Sequence, residues 1–203
     1  MSSVQTTLLD CEYFPSIEWY KDYLTADEVL IEQYEYFVRA SGRNRCYVCG
    51  PNGKIALTVP LLGGRNQKTL MKDVKISYDE KWQHQHWYTL DACYRRTPFF
   101  EYFEQSIFGF YQKKHTFLLD LNLNSIEVMN QLVKLKNTLL LSNEYVNNIE
   151  DQYVDKRNRL KLKPVQIEYL QPFGERHGFV SGLSMLDLFF CMGNRSKELI
   201  LIS

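Results

Sequence analysis

The stretch TTLLDCEYFPSIEWYKDYLTADEVLIE, residues 6–32, decides the fold. It opens on Thr6-Thr7-Leu8-Leu9-Asp10-Cys11, short and apolar, which reads as a buried first strand. Pro15 then biases Phe14 toward extended or turn geometry, because its ring crowds the residue before it. Ser16 stands where an N-cap belongs, and Glu18 meets the positive end of the helix dipole, so a helix is expected over 17–24. Glu28-Val29-Leu30-Ile31-Glu32 is β-prone and closes the unit. Strand, helix and strand in so few residues predict a βαβ opening with a crossover short for its type.

Working outward, β-prone runs at 45–49 and 55–59 flank Gly50-Pro51-Asn52-Gly53 and predict a hairpin. Three helices are expected next. Trp87, Leu90 and Tyr94 keep helical spacing, with Pro98 marking an end or a start. Phe103, Ile107 and Tyr111 repeat every four residues, and Leu118, Leu121, Val128, Leu132 and Leu135 mark a third face, with Asn137 as terminator. Leu139-Leu140-Leu141 reads as a short buried strand, 143–163 as a loop or exposed helix, and 165–169 as strand again. Near the end, Ser184 and Asp187 resemble a capping box, Gly193 supplies a left-handed stop, and the helix between is apolar all round and so buried. These elements predict one α/β domain over 1–203. Its short mixed sheet includes the βαβ opening and the hairpin at about 45–59, packed against several helices.

The totals exclude whole classes. Of 203 residues, 45% are hydrophobic, enough for a core, and 24 basic residues balance 24 acidic ones. That balance gives no footing to a nucleic-acid or anionic-membrane binder. No apolar run approaches the ~20 residues that span a bilayer, and the first twenty residues have neither a basic start nor a leader-length apolar run, so a secretory signal is not expected. Five scattered cysteines fit a reducing compartment, and the cytoplasm is the expected location. No Gly-x-Ser-x-Gly elbow, His-Glu-x-x-His helix or paired-glycine dinucleotide motif is present, and no cofactor is called for.

Cys46-Tyr47-Val48-Cys49 looks like half of a zinc knuckle. A structural site needs four ligands, and a regular strand sends Cys46 and Cys49 to opposite faces. His84 and His86, the remaining partners, differ by about 200° around a helix. A strand is the expected reading, with no metal. Arg43 and Arg45, two apart on an extended chain and joined by Asn44, suit a phosphate or carboxylate gripped by two guanidiniums; the alternative is a solvated hairpin edge. Gly63-Gly64-Arg65-Asn66 lacks the Lys of a phosphate loop and reads as an ordinary loop. His86 suits acid–base work near neutral pH, or packing beside Trp87. His177, in Phe173-Gly174-Glu175-Arg176-His177-Gly178-Phe179, is presented by a turn between glycines or lies on an ordinary surface loop.

Several of these features occur together and in order. They are Tyr13-Phe14-Pro15, Arg43-Asn44-Arg45 before a hairpin ending Leu57-Thr58-Val59-Pro60, and His86-Trp87 leading to Tyr94 and Pro98-Phe99-Phe100. Leu183-Ser184-Met185-Leu186-Asp187-Leu188-Phe189-Phe190 completes the set. In that order the chain resembles the WbqC-like family of bacteria, in the branch of Bacteroidetes type. It departs from many relatives by carrying Cys11-Glu12 where they have Gln-Pro. The resemblance implies a transferase of surface-polysaccharide (O-antigen) biosynthesis, with glycyl or other aminoacyl transfer to an amino sugar as the reaction. For that chemistry His86 or His177 is the expected base, with Asp187 as orienting group. Tyr13, Arg43, Asn44 and Arg45 are the expected substrate and phosphate holders. The implied partners are a nucleotide-sugar and an activated amino acid, with no nucleic acid beyond a tRNA donor and no membrane insertion. The alternative is a non-catalytic cytosolic binding or assembly protein for cell-envelope synthesis, marked by an exposed patch of Tyr88, Phe99, Tyr102 and Phe110.

Overall fold

The computed structural model describes residues 5–63, 68–132, 134–135, 139–147, 153–158 and 167–202. Strand β1 (Thr6–Asp10), helix α1 (Ile17–Thr25) and strand β2 (Glu28–Glu32) form the βαβ unit expected from the sequence. Ser16 caps α1, its Oγ accepting from Trp19 N at 3.2 Å. The helix buries Ile17, Trp19, Tyr20 and Tyr23. The hairpin follows as β3 (Arg45–Gly50) and β4 (Gly53–Thr58). Then come α2 (Trp82–Tyr94), α3 (Phe100–Gln112) and α4 (Leu118–Leu132), each on its expected face. Two short strands, β5 (Leu139–Leu141) and β6 (Tyr153–Asp155), precede α5 (Gly174–His177), α6 (Met185–Met192) and α7 (Ser196–Leu201).

The order β5-β2-β1-β6 is parallel throughout, and the antiparallel hairpin stands apart as a sheet of two strands. A strand at the centre of a parallel sheet is covered on both faces, which is why Thr7, Leu8, Leu9 and Asp10 are all buried. Asp10 lies beside Glu32 in register, so two carboxylates close the central strands at the same edge. The sheet order reverses there: β2 and β5 lie to one side of β1 and β6 to the other.

Three sequence expectations need correction. Leu139-Leu140-Leu141 forms β5 but is not a buried strand, because it lies at the end of the sheet order and leaves Leu140 and Leu141 exposed. The polar stretch at 143–163 holds β6, whose Tyr153, Val154 and Asp155 pair with Thr6, Thr7 and Leu8. Polar residues are tolerated because β6 is an edge strand. Ile167 to Tyr169, by contrast, carries no strand; its tyrosine is drawn toward Asp187 instead of into a ladder. Residues 165 and 166 lie outside the described residues, as do Asn137 and the Gly64, Arg65 and Asn66 of the expected loop.

The core is aromatic. Tyr13, Phe14, Trp19, Tyr20, Trp82, Tyr94, Phe100, Phe189 and Phe190 are all enclosed. Helix α6 is buried from Met185 to Cys191, as its sequence, apolar but for Asp187, demands. Gly193 ends it at φ +56°, where an added Cβ would stand 2.5 Å from the Phe99 ring, so glycine is needed for both backbone and space. Among the described residues no helix is long and apolar enough to cross a membrane.

Candidate functional site

The edge where β1 and β2 end is crowded with charge. Glu32, fully buried, accepts from Tyr34 N, Ser142 Oγ and Val146 N at 2.8, 2.8 and 2.9 Å. Arg157 reaches the same carboxylate at 3.4 Å while also gripping Asp155. This carboxylate ties the ends of β2, β5 and β6 together and has its acceptors engaged. Its role is structural.

Next to it lies a different arrangement. Arg43 is fully buried, an expensive place for a guanidinium unless its charge is met. Its Nε and Nη2 donate to Glu35 Oε1 at 2.8 and 2.6 Å, and Nη2 also donates to Asn158 Oδ1 at 3.0 Å. Its Nη1 lies 3.1 Å from Asp10 Oδ2. Asn122 Nδ2 fixes the segment by donating to the carbonyls of Cys11 and Arg43. Burial pushes the Glu35 carboxyl up to about 7, with Arg43 opposing that rise. Arg43 Nη1 and Asp10 Oδ1 make no hydrogen bond among the described residues, although both are enclosed.

Asp10, Arg43 and Asn158 line a cleft of about 220 Å³ together with Glu12, Ser16, Glu18 and Arg45. It opens beyond the carboxyl ends of β1 and β6, between the strands where the sheet order reverses. In open parallel sheets that crevice is where ligands bind. Phe14, on the same cleft, holds φ +40°, strained for a residue with a Cβ. Its N–H donates to Ser125 Oγ and its carbonyl accepts from Ser184 Oγ, at 3.1 and 2.8 Å, which keeps the strained turn in place. Gly42 packs so tightly that a Cβ would meet the Glu12 carboxyl carbon at 2.5 Å.

Arg45 joins this cleft to a larger one. Its Nε donates to Thr58 Oγ1 at 2.9 Å, and its side chain also lines a cleft of about 650 Å³ with Arg39, Asn44 and Lys75. Asn44 Nδ2 donates to Val59 O at 3.0 Å and pins the hairpin's open end. One arginine thus stands between a small, carboxylate-rich recess and a broad, cation-rich one.

Of the residues singled out by sequence, Arg43 and Arg45 share the smaller cleft, and Asn44 and Arg45 share the larger one. The others lie elsewhere. His86 is buried, its Nδ1 3.1 Å from Tyr13 OH, which in turn meets Tyr111 OH at 2.9 Å. Burial holds the imidazole down to about 4, so it is neutral near pH 7. His177 is only partly covered, with Nε2 3.0 Å from Gly50 O at the hairpin tip. Asp187 does not complete a capping box. Ser184 Oγ caps α6 by accepting from Leu186 N at 3.2 Å, while the Asp187 carboxylate turns inward to receive Tyr94 OH, Tyr169 OH and Gln171 Nε2. Burial raises its pKa. Tyr13, His86, His177 and Asp187 line neither cleft.

Arg95 and Arg96 border a separate cleft with Cys93, Pro98 and Cys191. Cys46 and Cys49 lie on β3 as a strand, Cys49 Sγ donating to Pro172 O at 3.2 Å. No three His, Cys, Asp or Glu side chains among the described residues converge as metal ligands. The aromatic patch is broken: Tyr88 and Tyr102 are exposed, but Phe110 is in the core.

Sequence reading missed Asp10, Glu35 and Asn158. The first carried a usable signal, an acid closing an apolar strand at the end where parallel sheets bind ligands. Asn158 carried none, because it reaches the site only through the unforeseen register of β6.

The model of the WbqC-like protein family matches residues 11–161, and the chain belongs to that family. No curated protein and no solved structure matches it.

Proposed function

We propose that this WbqC-like chain is a transferase of surface-polysaccharide biosynthesis that moves an aminoacyl group, glycyl being the smallest, onto an amino sugar. The observation that carries the reading is Arg45, set between a small recess lined by Asp10, Glu12 and Glu18 and a larger one lined by Arg39 and Lys75. Aminoacyl transfer needs such a division. An amine-bearing donor suits carboxylates, and a phosphate-bearing nucleotide-sugar or activating group suits guanidinium and ammonium groups.

In the reaction the amino-sugar nitrogen attacks the donor carbonyl carbon and a C–N bond forms. The bond to the activating oxygen breaks, and the leaving group departs with the electron pair. The amine's proton passes to a carboxylate of the small recess, for which Glu12 is the assignment. Positive charge beside the carbonyl oxygen stabilises the intermediate, a role that falls to Arg43 or Arg45. Asn44 holds the hairpin end that carries Arg45. Tyr13 and His86 form a buried hydrogen-bonded pair away from both clefts, His177 meets the hairpin tip at Gly50 O, and Asp187 ties Tyr94, Tyr169 and Gln171 to α6. This reaction belongs in the cytoplasm, the location proposed with it.

The test is transfer of labelled glycine from an activated donor to an amino-sugar nucleotide by purified protein. Arg45→Ala should fold normally and lose at least about tenfold in kcat/KM, the scale of one charge-assisted contact. Full activity in that variant removes the assignment.

A further inference from the structure

We infer that the recess at the ends of β1 and β6 is a binding site for a primary ammonium group flanked by an oxygen acceptor, with Asp10 taking the ammonium and Arg43 the oxygen. The inference rests on the transferase reading and names what its smaller cleft holds.

Two enclosed polar atoms argue for it. Asp10 is only 2% exposed; its Oδ2 faces Arg43, while Oδ1 accepts nothing among the described residues. Arg43 Nη1, the atom paired to that carboxylate by charge, makes no hydrogen bond among the described residues. Buried polar atoms are nearly always satisfied, and an exception calls for a reason. Here an unused acceptor and an unused donor belong to one ion pair, on one cleft wall. The complementary ligand must donate to the first and accept from the second.

Charge then selects among ligands. A phosphate would suit Arg43 but bring its oxygens against Asp10, Glu12 and Glu18. Arg43 is also largely committed, with Nε and Nη2 already given to Glu35 and Asn158. Phosphate therefore belongs on the Arg45 side, and the small recess takes a cation. An aminoacyl group has its ammonium and carbonyl oxygen on adjacent carbons, and an amino sugar has its ammonium beside a hydroxyl. Both carry the required pair. A volume near 220 Å³, narrowed where Gly42 abuts Glu12, favours the smaller aminoacyl group.

The experiment is ligand-observed NMR titration of the full chain at pH 7.5 with glycinamide, N-acetylglycinamide, glucosamine and inorganic phosphate, repeated on Asp10→Asn. Glycinamide should bind at least about tenfold more tightly than N-acetylglycinamide, which lacks the charge, and Asp10→Asn should erase the difference. Saturable glucosamine binding with the same dependence on Asp10 would support the site and assign it to the acceptor. Equal binding of the two glycinamides, no binding of either amine, or phosphate competing for the same site overturns the inference. Should Asp10→Asn fail to fold, the comparison of the two glycinamides on the native chain decides alone. Full glycyl transfer by Asp10→Asn would sink this site and leave the transferase reading standing. Binding through Asp10 by a protein that transfers nothing would do the reverse.

Discussion

Replacing Arg43 with methionine removes the guanidinium and leaves Asp10 and Glu35 enclosed with no cation between them. Both carboxylates stay buried, with side chains 2% and 7% exposed, so water cannot take over Arg43's role without opening the site. The variant loses two hydrogen bonds to Glu35, one to Asn158 and the ion pair to Asp10. Breaking a buried pair by deleting one partner costs about 3–5 kcal/mol, most of it from the uncompensated charge left behind. For a chain of this length that corresponds to a fall in Tm of roughly 6–20 °C. Urea unfolding followed by circular dichroism reads the free energy directly, and because the variant lacks the guanidinium that opposes the rise of the Glu35 carboxyl, the full loss should show only at alkaline pH. At pH 6 Glu35 can take up a proton, and part of the loss should vanish. Adding Asp10→Asn and Glu35→Gln to Arg43→Met removes the stranded charges and should recover more than half of the deficit. A loss below about 1 kcal/mol, or a triple variant no better than the single one, would refute this account of the cluster.

Two titrating groups should oppose each other. Burial raises the Glu35 carboxyl from 4.5 to about 7, so the folded state binds the extra proton and its contribution to stability falls as pH rises through that window. Burial lowers His86 from 6.5 to about 4, so its contribution falls as pH drops through 6.5 toward 4. Each effect is on the order of 3 kcal/mol, and where the windows overlap they should flatten the wild-type profile. Glu35→Gln should unmask the acid-side loss, and a profile unchanged by that variant would contradict the argument. Gly193→Ala should cost at least about 2 kcal/mol in urea unfolding, because it combines a left-handed backbone with overlap on Phe99. All five cysteines are buried, and burial pushes the Cys49 thiol up to about 12. A disulfide reagent should therefore titrate none of them before unfolding; prompt reaction of Cys46 or Cys49 would show that β3 opens.

The architecture was legible wherever local chemistry and tertiary demand agreed. Ser16 caps α1, the Pro-Asn-Gly turn closes the hairpin, and α6 is as buried as its composition requires. Legibility failed where a segment's role depends on what it meets. β6 is a strand because Thr6, Thr7 and Leu8 offer it a free edge, and nothing in Tyr153-Val154-Asp155 announces that neighbour. Asp187 had the spacing of a capping residue, yet two tyrosines and a glutamine from distant segments turn it inward. The pair Arg43 and Arg45 was visible as a motif, but their division of labour was not. It depends on Glu35 and Asn158 occupying one guanidinium and leaving the other between two clefts.

The most direct measurement is a map of backbone amide shifts while glycinamide is added to isotope-labelled protein. The account predicts perturbations gathered at Asp10, Gly42, Arg43 and Asn158, with little change around His86, His177 and Asp187. Shifts centred on those latter three residues would put the chemistry elsewhere and contradict it.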